Sequence, residues 1–151
     1  MKICPKKFKK IKGFTLIELL VVIGILAILL SIVLIAVNPA RQFGMANDTK
    51  RRSDIAQILS AIGQYSAEKH GVLPAEITTT AQEISNAAAD ICTDLVPDYI
   101  PALPSDPQTD GGVQITDCST YTTGYNVEMD TDNRVTVSAD GEIEAVIEIT
   151  R

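Results

Sequence analysis

Residues 12–18 read Lys12-Gly13-Phe14-Thr15-Leu16-Ile17-Glu18, and residues 19–37 follow without a single charge. Across residues 14–37, Glu18 is the only ionisable side chain. As a helix rising ~1.5 Å per residue, this run is roughly 36 Å long, enough to cross a hydrocarbon core of about 30 Å with some tilt. Leu, Ile and Val make it apolar all round, with Gly24 and Ser31 as its small breaks. A chain of 151 residues has too little mass to bury so long an apolar rod on every side. The stretch therefore predicts one membrane span near the N-terminus.

Six lysines (Lys2, Lys6, Lys7, Lys9, Lys10, Lys12) and no acid precede the span, which holds that end in the cytoplasm under the positive-inside rule. A cleaved secretory signal also begins with basic residues. Its apolar region, however, is only about 7–15 residues and closes on a small-x-small site. Here the run is longer and ends Leu34-Ile35-Ala36-Val37-Asn38-Pro39, without that pattern. Glu18 is the anomaly. An acid costs about 2.5–3.5 kcal/mol at the bilayer centre and less near an interface. Either the positive end of the helix dipole accommodates it, or a cation of a partner meets it inside the membrane.

The set Lys12-Gly13-Phe14-Thr15-Leu16-Ile17-Glu18 plus the apolar run resembles the N-terminus of type IV prepilins and type II secretion pseudopilins. The resemblance implies that a prepilin peptidase cuts between Gly13 and Phe14 and methylates Phe14. It also implies that Glu18 neutralises the N-terminal ammonium of a neighbouring subunit during assembly. On the same basis the partners are further copies of the chain in a helical homopolymer, the peptidase, an inner-membrane assembly platform, and membrane lipid before assembly.

Net charge is distributed unevenly. The six leader lysines offset an acidic remainder: downstream of them stand seven basic and 19 acidic residues, a net of −12. From residue 53 onward the balance is three basic against 17 acidic, a net of −14. Such a surface repels phosphates, so direct nucleic-acid binding is not expected. Aromatic residues are 5% of the chain and Trp is absent, so nothing suggests a pocket of stacked rings around a cofactor.

Past the span, Pro39 removes a helix hydrogen bond and predicts a kink or a locally melted segment. Apolar spacing then resumes at Ile55, Ile58, Leu59, Ile62 and Tyr65. The expectation is one long helix over about residues 14–69, bent at Pro39 and stopped by His70-Gly71, with Pro74 beyond. Arg41 and Lys50-Arg51-Arg52 form a basic collar on it, read either as a solvated face or as a contact for acidic heads of adjacent subunits. Thr80 with Glu83 fits a capping box and predicts a short helix to about Ile91. Pro97, Pro101, Pro104 and Pro107 mark an extended loop. Alternation then marks three strands: Tyr125, Val127 and Met129; Val135, Val137 and Ala139; Ile143, Ala145, Ile147 and Ile149. The fold expected is α+β, a long N-terminal helix packed on a small antiparallel β-meander, which is also the pilin-like arrangement. Its divisions are a leader (1–13), a transmembrane and assembly half-helix (14–37), an amphipathic half-helix (38–71) and a head (72–151).

With Cys4 lost in the leader, Cys92 and Cys118 remain as a pair in an exported head, where a disulfide would close the loop between them. Two buried free thiols are the alternative. His70, the single histidine, sits at a helix end in a capping position. No nucleophile has a base at a recognisable spacing, so an enzyme is not expected. No cofactor is expected either, with one qualification from the resemblance. Major pseudopilins bind calcium near their sheet, which makes Asp106, Asp130, Asp132 and Asp140 the calcium candidates. Arg134 and Val135 break the calcium-loop pattern after Asp132, and Gln108 and Thr109 replace the family's aromatic and glycine after Asp106-Pro107.

The function expected is that of a structural subunit of a type IV pilus or pilus-like filament. The alternatives are a pseudopilin of a type II secretion or DNA-uptake system and a signal-anchored binding module that never polymerises. The subunit would begin as a single-pass protein of the inner or cytoplasmic membrane and end in an extracellular or cell-envelope filament.

Overall fold

The computed structural model describes residues 13–151; the leader lysines and Cys4 lie outside the described residues. Two compact units meet at Pro39 and Ala40. The first contains helix α1 (Leu16–Val37), of which no residue is buried. It is long and apolar enough to cross a membrane. Its 22 residues make a rod of about 33 Å.

Where one bent helix is expected, the chain forms two. Helix α1 stops at Asn38, whose backbone is left-handed (φ 45°, ψ 82°), and α2 (Pro39–Glu68) begins at the next residue. Asn tolerates the left-handed region better than most side chains. Pro39 lacks the N–H that would continue the helix but suits the first position of a new one. Helix α2 ends at Glu68; His70 just beyond it is again left-handed (φ 57°), and the Gly71 N–H reaches back to the Ser66 carbonyl at 2.7 Å. That is a Schellman-type stop.

The second unit is a head built on α2. Its four-stranded antiparallel sheet has the order β1 (Gln82–Ser85), β2 (Thr122–Met129), β3 (Val135–Asp140), β4 (Val146–Thr150). Register places Val127 opposite Val137, and Val137 opposite Ile149. The inward residues Tyr125, Val127, Val137, Ala139 and Ile147 share one core with Ile55, Ile58, Leu59 and Ile62 of α2. The α+β class is therefore present, as a helix and a four-stranded antiparallel sheet.

Two local expectations fail. Thr80 and Glu83 do not open a helix; residues 82–85 form β1 at the sheet edge. The Glu83 carboxylate accepts from the Thr122 hydroxyl on β2, and Ile84 is fully buried. Three successive threonines, stiff at Cβ, precede it, and pairing with β2 outweighs the capping signature. Ile143 and Ala145 do not extend the last strand. Residues 141–145 form the β3–β4 connection, and both side chains are exposed.

Between β1 and β2 run the short helix α3 (Cys92–Leu95), the Pro-rich loop, and a bridge pairing Leu103 with Ile115. Buried Leu95, Ile100 and Leu103 fasten this excursion to the core.

Candidate functional site

The predicted processing segment lies at the start of α1. Thr15 is the N-cap, with extended backbone, and its hydroxyl accepts from the Glu18 N–H at 3.3 Å. In return the Glu18 carboxylate accepts from the Thr15 N–H at 2.8 Å and from the Thr15 hydroxyl at 2.7 Å. This is a complete capping box: two free N–H groups of the first turn each receive an oxygen. Sequence reading treated Glu18 as an isolated acid. The signal that it has a partner is Thr15 three positions earlier, the same spacing as Thr80 and Glu83, which open no helix.

Gly13 and Phe14 precede the helix, and Phe14 is fully presented to the surroundings, at 84% exposure. A Cβ added at Gly13 would meet nothing within 4 Å. No packing against the described residues requires glycine there.

A second polar centre lies in the head and was not foreseen as a unit. Arg51 is 2% exposed, and its guanidinium forks onto Asp106, with Nη2 3.0 Å from Oδ1. It also donates to Asp48 at 2.9 Å and to Glu142 at 3.4 Å. Asp48 in turn accepts from three successive backbone N–H groups, those of Glu142 (2.8 Å), Ile143 (2.9 Å) and Glu144 (3.2 Å). Burial pushes the Asp48 carboxyl up, but those N–H groups and Arg51 outweigh it and hold the group down at about 2. Asp106 and the other carboxylates in turn raise the Arg51 pKa. Close by, Asp54 accepts from both Lys50 and the buried Tyr125 hydroxyl at 2.8 Å. Among the described residues no buried side-chain nitrogen or oxygen lacks a partner.

Of the basic collar, Arg51 is buried, while Lys50 and Arg52 stay on the exposed face with partners in the same chain. Lys50 pairs with Asp54, Arg51 with Asp48 and Asp106, and Arg52 with Glu144, all in the same chain. Linear sequence hides this because the partners are up to 92 positions away.

The four aspartates read as calcium candidates are placed differently from one another. Asp106 is buried and engaged by Arg51. Asp130 accepts from the N–H groups of Asp132 and Arg134 and from the Arg134 guanidinium, led by the Arg134 N–H, which lowers its pKa. Asp132 and Asp140 are exposed. Among the described residues, no group of three or more His, Cys, Asp or Glu side chains is arranged to hold a metal. Cys92 and Cys118 are joined in a disulfide. Beside it the Tyr121 hydroxyl donates to Asp90 at 2.9 Å and accepts from the Cys92 N–H at 3.3 Å.

A family model described as the prokaryotic N-terminal methylation motif matches residues 8–34, the type IV prepilin-like signal. No curated protein and no solved structure matches the chain.

Proposed function

We propose that the chain is a structural subunit of a type IV pilus or a pilus-like filament. It is cut between Gly13 and Phe14 by a prepilin peptidase, methylated on Phe14 and polymerised through α1. The observation that carries this reading is the methylation motif at residues 8–34, set directly on a helix with an apolar surface all round and no buried residue. The open space at Gly13 supports it further: no described residue packs against that position, which fits a glycine read by the enzyme that recognises the bond. Secretion pseudopilins carry the same kind of segment, and the filament reading covers them. Before assembly the subunit sits in the cytoplasmic membrane with its N-terminus inside and the disulfide-bonded head outside. It then passes through the assembly platform into the filament.

Glu18 supplies the charge on which stagger depends. In a dry bundle of α1 helices, the new ammonium at Phe14 needs an anion, and leaving one member of a buried pair alone costs about 3–5 kcal/mol. Intact-mass measurement of the membrane or filament form should show residues 1–13 missing and one methyl group added. A mature chain that retains Gly13 would overturn the processing claim. Glu18→Leu should leave a membrane-inserted, disulfide-bonded subunit that fails to enter sheared filaments. Normal filaments from that variant would leave the processing claim standing and refute the role of Glu18.

Calcium has a natural competitor in this head. Asp106 already receives two N–H groups of Arg51, so adding calcium should leave thermal unfolding unchanged.

A further inference from the structure

The buried face of α2 changes chemistry along its length. From Ile55 to Ile62 it is apolar and belongs to the shared core. Before that, its buried positions are Gly44, Asp48, Arg51 and Asp54, and what covers the first of them is the β3–β4 connection, residues 141–145. That connection holds no regular structure and buries no side chain. It is tied down through α2. Three of its N–H groups meet Asp48, and Glu142 accepts from Asn47 at 2.6 Å and from Arg51. Glu144 pairs with Arg52, and Ile143 lies over Gly44, where an added Cβ would stand 3.0 Å from it.

We propose that the β3–β4 connection is a latch on α2, and that it opens together with α2 residues 44–50 while the helix from Arg51 onward stays packed. Apart from Ile143 over Gly44 the latch contacts are polar: three converge on the Asp48 carboxylate and the other three run through the adjacent Glu142 and Glu144 side chains, so they form or break together. They lie outside the apolar cluster, none of whose members falls within residues 44–50 or 141–145. Water can replace the partners of Glu142 and Glu144 at once, because these side chains are already 26% and 51% exposed. The boundary falls at Arg51, whose fork onto Asp106 is independent of the latch. The inference stands whether or not the subunit polymerises.

Hydrogen exchange with mass spectrometry on the full chain in lipid nanodiscs tests it. Amides of residues 45–50 and 141–146 should exchange at a common rate, faster than those of residues 55–62 and 123–127. Asp48→Asn removes an anion that takes three N–H bonds, and should speed both latch segments by the same factor, roughly ten- to hundredfold, with the core unchanged. Glu142→Gln, a milder change that keeps the loop bonds to Asp48, should speed both by a smaller factor, and it serves alone if Asp48→Asn does not fold. Acceleration confined to residues 141–146 would overturn the proposal, since the helix then ignores the latch. Acceleration spreading equally into residues 55–62 would overturn it too, since the opening would then be that of the whole head.

Discussion

Arg51 and Asp106 stand 55 positions apart in the chain and meet in a forked ion pair, Nε to Oδ2 at 2.5 Å and Nη2 to Oδ1 at 3.0 Å, with both side chains buried. The pair fastens the Pro-rich loop to α2 at the level where the apolar core gives out. A buried cation of this kind adds little net stability over a well-packed apolar replacement, yet removing one partner alone is costly. Its value lies in specifying where the loop goes.

Arg51→Met should therefore destabilise the head by about 3–5 kcal/mol, because Asp106 and Asp48 lose their cation in a dry site. Urea unfolding of the detergent-solubilised chain reads this. The double variant Arg51→Met/Asp106→Asn should recover part of the loss. A single variant within about 1 kcal/mol of the parent would show that water reaches the site freely.

Gly124 sits inside β2 with φ +74°, and a Cβ there would fall 2.7 Å from the Thr109 hydroxyl and 2.9 Å from the Asp106 Cβ. Gly124→Ala combines a strained backbone with a clash against the loop that Arg51 fastens. A loss of roughly 1–3 kcal/mol is expected, seen as a lower urea midpoint at unchanged slope. Gly63→Ala, where nothing lies within 4 Å and the backbone is helical, should stabilise slightly instead.

Replacing Cys92 and Cys118 together by serine should cost about 2–5 kcal/mol, since the bond closes a loop with a separation of 26 residues. The thermal midpoint of the parent should fall on reduction, while that of the double variant should not respond to reductant. A parent whose midpoint ignores reductant would contradict the bond's role.

Stability should fall at both ends of the pH range, for opposite reasons. The Asp48 carboxyl is held at about 2 against an ordinary 3.8, so its contribution is complete above that ordinary value. It is lost as pH falls through about 2. Burial first, and then hydrogen bonds to Asp90 and Asp54, raise the pKa of Tyr121 and Tyr125 respectively. Their contribution is complete below the ordinary tyrosine value of 10.0 and is lost as pH climbs beyond it. Acid titration of unfolding free energy should flatten at its low end in Asp48→Asn, and alkaline titration should flatten in Tyr125→Phe.

Thr15→Val removes both the acceptor for the Glu18 N–H and one donor to the Glu18 carboxylate. Amides at the start of α1 should then exchange faster in micelles, and Thr15→Ser should restore protection. Equal exchange in Thr15→Val and the parent would show that the lipid environment, not the box, orders this turn.

The sequence by itself marked an N-terminal helix long and apolar enough to cross a membrane, the methylation motif at residues 8–34, the helix stop at residues 70–71, and the alternating strands 125–129 and 135–139. Each is written in local terms: an uncharged run, a motif of adjacent residues, a left-handed position, a period of two. The break at Asn38 was half legible, because Pro39 announces an interruption but not whether the helix bends or restarts. Tertiary structure alone decided the rest. Residues 82–85 became a strand because β2 offered them a partner, against their own capping pattern. Arg51 turned inward because Asp106 and Asp48 reach it within the fold, Lys50 and Arg52 found Asp54 and Glu144 at the surface, and Asp48 became buried because three N–H groups of a distant turn converge on it. A charged residue at a buried position is invisible to hydrophobic periodicity, since the period counts apolar side chains. The energy that permits its burial comes from groups that only the folded chain brings within 3 Å.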